Sequence, residues 1–279
     1  YEPLPSGAPI RNFGGSTCGG DLREVLRVSC NTSFAEIGAE WLGPEALVRT
    51  ATNFGFNSVP PIDLPDAAAS RFPTDYGARL ADVDFYRAPG LEPGEGPGDD
   101  PPEGPILPNG DVPIHENSAV LAQTAIGQND VAATPLQMAL VAAAIANEGR
   151  IMEPRVVDRV EAADGSVYET VEPDLWRVAS SPRAAEVLRE AMVNVATNGT
   201  ATRMQVDGLV VGGKTGTAQL GTDPPNSHAW VVGFAGPPDA PPELAVAVIV
   251  EAQPGASEQT GGRVAAPIAQ AVIRAAFGR

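Results

Sequence analysis

Three apolar segments in the last third of the sequence limit most strongly which fold this chain can adopt. They cover residues 209–218, 228–235 and 244–250, and they are rich in the β-branched residues typical of strands. Two short loops rich in Pro, Gly and Asp separate them. A parallel crossover needs about a dozen residues or more, so these loops predict antiparallel neighbours. The third segment is almost continuously apolar, which predicts a central strand covered on both faces.

Helical patterns surround these strands. Residues 134–137, Thr-Pro-Leu-Gln, form a capped helix start, and the segment up to Gly149 has almost no polar face, so it predicts a helix buried on all sides. A second helix is predicted over 181–198. A third is predicted over 266–277, and the face expected to pack on the sheet holds Ile268, Ala271, Val272 and Ala275. The predicted fold class is α+β, with helices packed on an antiparallel sheet.

The region 21–44 predicts two short helices with a very tight connection. Asp21, followed three positions later by Glu24, is a capping signature. An apolar face continues to Ser29, which is expected to end the first helix on its buried side. The second helix follows at once, so the side chains of Ser29 and Asn31 are predicted to point into a common crevice.

The charge balance excludes several partners. Asp and Glu outnumber Lys and Arg by 35 to 18, giving a net charge of −17, so nucleic acid and anionic membrane surfaces would be repelled. His115 and His228 are far apart and no metal-ligand spacing occurs, so no metal or other cofactor is expected. The longest apolar stretch, 138–146, is too short to span a bilayer. Because the chain begins at Tyr1 rather than Met, we expect it to be a processed or truncated piece of a longer protein.

The segment 89–113 differs in composition from the rest of the chain. It is dominated by Pro, Gly and acidic residues, and no basic residue occurs between Arg87 and Arg150. Such a segment buries too little apolar surface to offset the entropy of ordering it, which predicts a flexible insertion. Acidic runs of this kind are most often solvated surface loops, so that interpretation is favoured over a lid or a docking loop for a partner.

The sequence contains a single lysine, Lys214, in the run Gly-Gly-Lys-Thr-Gly-Thr-Ala on a predicted strand. Glycines in a strand remove side chains where a ligand or another backbone approaches closely. A cation flanked by the hydroxyls of Thr215 and Thr217 suits a carboxylate or a developing oxyanion. A surface lysine beside a Gly-rich bend is the plainer alternative. A phosphate loop is rejected, although Gly208 matches its first glycine, because a turn and a strand follow the lysine where that motif needs a helix.

Two motifs together connect the chain with a known family. Ser29-Cys30-Asn31 at a helix end, followed much later by Lys214-Thr215-Gly216 on a strand, resembles the motif set of class B penicillin-binding proteins in their transpeptidase domain. Further similar stretches occur at 124–128, 134–137, 146–149, 198–201, 229–234 and 261–267. The resemblance covers nearly the whole chain apart from the acidic insertion.

The resemblance implies an α+β transpeptidase domain with a five-stranded antiparallel sheet and a helical subdomain, of which residues 1–279 are the C-terminal portion. It implies acyl transfer on the D-Ala-D-Ala stem peptides of peptidoglycan, with β-lactam antibiotics as mimics of that substrate. It also implies a location on the extracytoplasmic face of the bacterial membrane, held by an N-terminal anchor. Cell-division or elongation proteins are the implied protein partners.

Roles for individual residues follow from the same resemblance. Ser29 is expected to relay a proton to the leaving group, Asn31 to bond the substrate amide, and Lys214 to hold Ser29. The residues expected to bind the terminal carboxylate and line the substrate are Thr215, Gly216 and Thr217. The backbone N–H of Thr217 is expected to supply half of an oxyanion hole.

The sequence departs from the family at the nucleophile, which lies in a Ser-x-x-Lys tetrad ahead of Ser-x-Asn. Because Lys214 is the only lysine, no such tetrad exists in these 279 residues. The nucleophile is therefore expected outside this chain, in a segment that precedes it. We expect the chain alone not to react covalently with a fluorescent penicillin.

Cys18 and Cys30 flank the first predicted helix. About ten helical residues rise about 15 Å, whereas a disulfide needs Cα atoms within about 7 Å. The glycines at 19 and 20 would let the chain fold back, so a disulfide stays open. The span favours two free thiols, with Cys30 packed beside the site.

Three other functions are compatible with these motifs. A serine β-lactamase would need a water-activating base of its own, and a D,D-carboxypeptidase would differ only in using water rather than an amine as acceptor. A degenerate member would be a non-catalytic β-lactam sensor or scaffold. The lifetime of the acyl-enzyme separates a hydrolase from a transpeptidase, and a Ser-x-x-Lys tetrad upstream separates an enzyme from a binding module.

Overall fold

The computed structural model of the chain describes residues 1–3, 9–74, 119–223, 225–253 and 259–279, and the insertion predicted at 89–113 lies outside them. The described α-helices are, in chain order, α1 (Leu22–Arg27), α2 (Asn31–Glu36), α3 (Gly43–Asn53), α4 (Ala119–Ala125), α5 (Pro135–Ala146), α6 (Pro182–Asn198) and α7 (Ala266–Ala276). The described strands are β1 (Arg150–Met152), β2 (Arg159–Glu161), β3 (Val167–Thr170), β4 (Leu175–Val178), β5 (Val210–Gln219), β6 (Ser227–Gly236) and β7 (Leu244–Val250). Wider π-helical turns at Ile37–Leu42 and Gly261–Ala265 precede α3 and α7.

The chain divides into two compact units. The first consists of Tyr1–Gly19, Cys30–Arg49 and Pro73–Val131, and the second of Gly20–Ser29, Thr50–Phe72 and Ala132–Arg279. Ser29 and Lys214 both belong to the second unit, whereas Asn31 belongs to the first.

Helical segments form the described core of the first unit. The buried side chains that pack together there are Ile10, Ala35, Ala39 and Ala122. Small residues let the π-helical turn approach α4, because a Cβ added at Gly38 would overlap the Cβ of Ala125. A larger side chain at position 38 would therefore force these two segments apart.

The second unit is built on an antiparallel sheet with the strand order β5-β6-β7, which confirms the predicted pairing. Lys214 of β5 lies opposite Val232 of β6. Among the described strands β6 lies in the middle, so the prediction of a central β7 is wrong for them. The physical reason is that β6 pairs with a strand on each side, whereas β7 pairs only with β6 among the described strands. Every β7 residue except Val246 is partly exposed. The described part of this sheet has three strands, where the family resemblance implies five.

Helices cover both faces of this sheet. On one face Val211 and Val231 join a core that includes Ala269 and Ile273 of α7. On the other face Phe234 packs with residues of α5 and α6. Gly212 is required there, because a Cβ at this position would overlap the ring of Phe234. The sheet therefore presents β5, which carries Lys214, between two packed layers of helix.

The predictions for α5 and α6 are confirmed. The side chain of Thr134 accepts a hydrogen bond from the backbone N–H of Gln137, and every residue of α5 after Pro135 is buried or partly buried. Gly149, with a φ of 84°, follows the end of α5. The hydroxyl of Ser181 caps α6 in the same manner.

The buried face of α7 differs from the predicted one. Ala266, Ala269 and Ile273 are buried, whereas Ile268 and Val272 are 46 % and 43 % exposed. The prediction that Ile268, Ala271, Val272 and Ala275 face the sheet is therefore wrong. The helix carries two apolar stripes, and the stripe with more buried alanines permits the closer approach to the strands.

Candidate active site

Ser29 lies just beyond the end of α1. Asp21 caps the helix, since its carboxylate accepts a hydrogen bond from the backbone N–H of Glu24, and the helix runs from Leu22 to Arg27. Ser29 follows in the left-handed region with a φ of 59°, so the expectation that it ends the helix on its buried face is wrong. This conformation costs a non-glycine residue about 1–2 kcal/mol. Strained residues of this kind cluster at functional sites.

Lys214 reaches Ser29 from β5. Its Nζ donates a hydrogen bond of 2.7 Å to the Oγ of Ser29 and another of 2.7 Å to the backbone carbonyl of Thr215. The structure therefore confirms the proximity of Ser29 and Lys214 that the sequence predicts. Lys214 is partly buried and its amine is held by two hydrogen bonds, so it is not the free surface cation of the plainer alternative.

Burial changes the acid–base properties of Lys214. The loss of hydration lowers the pKa of its ammonium group from the ordinary 10.5 to about 8. Both of its hydrogen-bond partners are neutral oxygens, so no carboxylate among them offsets that loss. A lysine with such a pKa exchanges its proton near neutral pH, which suits a group that takes part in proton transfer.

Asn31 begins α2 in the first unit. Its side-chain amide donates a hydrogen bond of 3.4 Å to the backbone carbonyl of Arg11. The structure thus brings Ser29 and Lys214 together, while the role of Asn31 stays a prediction.

The Lys-Thr-Gly residues alternate between the two faces of β5. Thr215 and Thr217 share the face of Val211, and Lys214 and Gly216 share the opposite face. The hydroxyl of Thr215 forms a 2.7 Å hydrogen bond with the hydroxyl of Thr200, a contact that sequence reasoning missed. Close packing surrounds the motif, since a Cβ at Gly261 would lie 2.8 Å from the carbonyl oxygen of Gly216.

Cys18 and Cys30 form a disulfide, so the expectation of two free thiols is wrong. Their Cα atoms lie 5.9 Å apart. Two local features explain the error: α1 has six residues rather than about ten, and Gly20 adopts a φ of 119°, which helps the chain to fold back. Cys30 is fully buried and directly follows Ser29 in the chain. The disulfide therefore closes a covalent loop that contains the site serine.

Other kinds of site find little support in the described residues. No group of three or more His, Cys, Asp or Glu side chains is placed there to hold a metal ion. In the same residues no helix is long and apolar enough to cross a bilayer. A cavity of about 370 Å³ is lined by residues of α6, β5, β6 and the 237–242 turn, and neither Ser29 nor Lys214 lines it.

Comparison with known proteins points to one family. The family of penicillin binding protein transpeptidase domains matches residues 3–274. Peptidoglycan D,D-transpeptidase PbpA of Mycolicibacterium smegmatis is 37 % identical over 282 residues, which cover 99 % of this chain and 48 % of that protein. The penicillin G acyl-enzyme complex of penicillin-binding protein A from Mycobacterium tuberculosis superposes with a TM-score of 0.71 at 36 % identity, covering 99 % of this chain and 54 % of that one. The D,D-transpeptidase domain of a peptidoglycan glycosyltransferase from Eggerthella lenta gives a TM-score of 0.70 at 29 % identity, covering 98 % and 57 %.

An antiparallel sheet covered by helices, with a Ser-x-Asn serine bonded to a Lys-Thr-Gly lysine, is the arrangement of a transpeptidase-type domain. The chain belongs to the penicillin-binding protein transpeptidase family, in class B, as the sequence resemblance predicts. It spans about half the length of the curated relatives that it matches.

Proposed function

We propose that this chain supplies the Ser-x-Asn and Lys-Thr-Gly part of a peptidoglycan D,D-transpeptidase. The hydrogen bond between Lys214 and Ser29 carries the proposal. It joins the two motifs in the arrangement that a proton relay needs, with a hydroxyl held by an amine of lowered pKa. The relatives named as D,D-transpeptidases support the same reaction class.

The reaction is acyl transfer from a D-Ala-D-Ala stem peptide. A serine hydroxyl attacks the carbonyl of the penultimate D-Ala, the peptide bond breaks, and the terminal D-Ala leaves as a free amine. The attacking hydroxyl gives its proton to the base of its own tetrad, which lies outside these 279 residues. Ser29 gives its hydroxyl proton to the leaving nitrogen and takes a replacement from the ammonium group of Lys214, which also keeps the hydroxyl oriented. An amine of a second stem peptide then attacks the acyl-enzyme, which restores the serine hydroxyl.

The remaining motif residues hold the substrate in this proposal. Thr215 and Thr217, beside Gly216, bind the terminal carboxylate of the stem peptide, and Asn31 bonds its amide. The backbone N–H of Thr217 is one donor to the oxyanion that forms at the attacked carbonyl. Loss of one such donor costs an enzyme about 3 kcal/mol in the transition state.

The attacking serine lies outside these 279 residues, because the single lysine leaves no Ser-x-x-Lys tetrad in the sequence. We place that tetrad in a further segment of the same protein. β-Lactams, which mimic D-Ala-D-Ala, would acylate the same serine. The proposed location is the extracytoplasmic face of the bacterial membrane, where peptidoglycan strands are joined, with cell-division or elongation proteins as partners.

Labelling with a fluorescent penicillin tests the proposal. We expect no covalent label on the 279-residue chain alone and one label per molecule on the longest polypeptide that its gene encodes. In that longer protein Lys214→Met should lower the labelling rate about 100-fold or more, within the range for lost proton transfer. Arg274→Met on α7 removes a cation outside the site and is the matched control, expected to label at the wild-type rate. Equal labelling of the Lys214→Met variant and the control would reject the assignment.

The lifetime of the labelled species separates the related activities. A transpeptidase is expected to keep the penicilloyl group for far longer than its acylation takes, whereas a β-lactamase would release it within a catalytic cycle. Release of D-Ala from a stem-peptide analogue, with and without an added amine acceptor, separates a transpeptidase from a D,D-carboxypeptidase. A longer protein without labelling would leave only a non-catalytic module.

A further inference from the structure

The backbone just after α6 contacts the segment that carries Ser29. The guanidinium of Arg27, two residues before Ser29, donates a 2.7 Å hydrogen bond to the carbonyl of Asn198. In return the backbone N–H of Thr200 donates to the carbonyl of Arg27 at 3.4 Å. Two hydrogen bonds, one donated by each segment, therefore connect the end of α1 with residues 198–200.

Gly199 makes this approach possible. A Cβ added there would overlap the carbonyl oxygen of Arg27 and would lie 2.9 Å from the carbonyl oxygen of Val195. Both neighbours are backbone atoms, which cannot rotate away as a side chain can. A glycine at this position therefore lets residues 198–200 lie directly against the chain that leads to Ser29.

The side chain of Thr200 continues the connection to β5. Its hydroxyl forms the 2.7 Å hydrogen bond with the hydroxyl of Thr215, the residue next to Lys214. Gly262 packs closely against both threonines. A Cβ there would overlap the carbonyl oxygen of Thr200 and would lie 3.6 Å from the methyl group of Thr215. Thr200 therefore contacts the Ser29 segment through its backbone and the Lys214 strand through its side chain.

We propose that Thr200 is a positioning residue that sets the spacing between Ser29 and Lys214. The proposal rests on the proposed acyl-transfer function. Thr200 itself does not touch the lysine amine or the serine hydroxyl in any hydrogen bond of the described residues. It acts through two residues close to the pair in the sequence. Thr215 directly follows Lys214, and Arg27 lies two positions before Ser29. Misplacement of a catalytic group by about 1 Å can cost about 100-fold in rate, so this spacing matters to the reaction.

Two substitutions at position 200 separate the hydroxyl from the volume. Thr200→Val keeps the shape of the side chain and removes the hydroxyl, whereas Thr200→Ser keeps the hydroxyl and removes a methyl group. We expect Thr200→Val to slow penicillin labelling of the full-length protein about tenfold or more, and Thr200→Ser to remain near the wild-type rate. Labelling by Thr200→Val at the wild-type rate would overturn the proposal.

A second readout does not depend on labelling. Lys214 is the only lysine of the 279-residue chain, so 13C-labelled lysine gives a single side-chain NMR signal that reports its titration. If Thr200→Val widens the spacing and admits water, the pKa of Lys214 should rise toward the ordinary value, and Thr200→Ser should leave it in place. A variant that is merely less stable would show a lower unfolding midpoint with the wild-type titration, and that result also overturns the proposal.

Failure of the proposed function gives a different pattern. If the wild-type full-length protein takes no label, acyl transfer is rejected whatever Thr200 does. The titration of Lys214 in the two variants then still decides whether Thr200 sets the environment of the pair. If the wild-type protein is labelled, and Thr200→Val changes neither the labelling rate nor the titration of Lys214, the proposed function stands and the positioning role of Thr200 is rejected.

Discussion

The ammonium group of Lys214 donates a 2.7 Å hydrogen bond to the hydroxyl of Ser29, although 185 positions of the chain separate the two residues. A hydroxyl oxygen accepts this bond without carrying a charge, so the lysine loses hydration and gains no ion pair from Ser29. The pair combines a readily lost proton with a hydroxyl that can pass it on. This combination supports the proposed proton relay rather than a structural salt bridge.

The titration of Lys214 is the first prediction. In the folded chain its NMR signal should titrate with a midpoint near pH 8, because burial lowers the pKa of the amine to about 8. In concentrated urea the same signal should titrate near 10.5, the ordinary pKa of lysine. A folded-state midpoint near that ordinary value would contradict the burial of the amine.

The same shift has a consequence for stability. Between pH 8 and 10.5 the unfolded chain binds more protons at this lysine than the folded chain, so this lysine makes the free energy of unfolding rise with pH across that window. Lys214→Met should remove this part of the pH dependence and leave the contribution of the other groups. Urea unfolding of both proteins at pH 7.5 and 10 measures the difference.

The left-handed conformation of Ser29 gives a prediction about the relative stability of two variants. Ser29→Ala removes the hydroxyl and keeps a Cβ at a φ of 59°, whereas Ser29→Gly removes the hydroxyl and the strain. Both variants should slow penicillin labelling of the full-length protein, because neither retains the hydroxyl that we propose as the proton relay. The glycine variant should be more stable than the alanine variant by about 1 kcal/mol. Urea unfolding of the two variants checks this order, and an alanine variant of equal or greater stability would speak against strain at Ser29.

Local features of this chain follow closely from its sequence. The bounds of β5, β6 and β7 lie within about a residue of the predicted ones, because alternation and turn residues act over a few positions. The caps at Thr134 and Ser181 are local for the same reason. The pairing of Ser29 with Lys214 came from the family resemblance, since no local pattern relates residues so far apart.

The errors concern features that depend on the folded environment. The hydrophobic period of α7 is correct, but two apolar stripes fit that period, and only the packed sheet selects the one with Ala269 and Ile273. The prediction of free thiols fails because α1 is shorter than the sequence pattern predicts. Thr200 lies in the family-like stretch 198–201, but its hydrogen bond to Thr215 is a contact across the fold that no local pattern predicts.

The disulfide supplies another prediction. Cys18 and Cys30 are separated by 12 positions, and closing a loop of that length stabilises a protein by roughly 3 kcal/mol through the unfolded state. Reduction of the wild type should lower its free energy of unfolding by about that amount. The double variant Cys18→Ala and Cys30→Ala should resemble the reduced wild type and should not respond to reductant. Urea unfolding with and without dithiothreitol measures both, and an equal response of the two proteins would contradict the disulfide.

The packing of α7 allows a matched comparison on one helix. Ile273 is fully buried, so Ile273→Ala should leave a cavity and cost about 2–5 kcal/mol of stability. Ile268→Ala removes the same atoms from the exposed face and should cost less than about 0.5 kcal/mol of stability. Both variants gain the same helix propensity, so the difference between them reports burial alone. Thermal or urea unfolding measures it. Equal losses, or a larger loss at Ile268, would mean that the face first predicted from the sequence packs on the sheet after all.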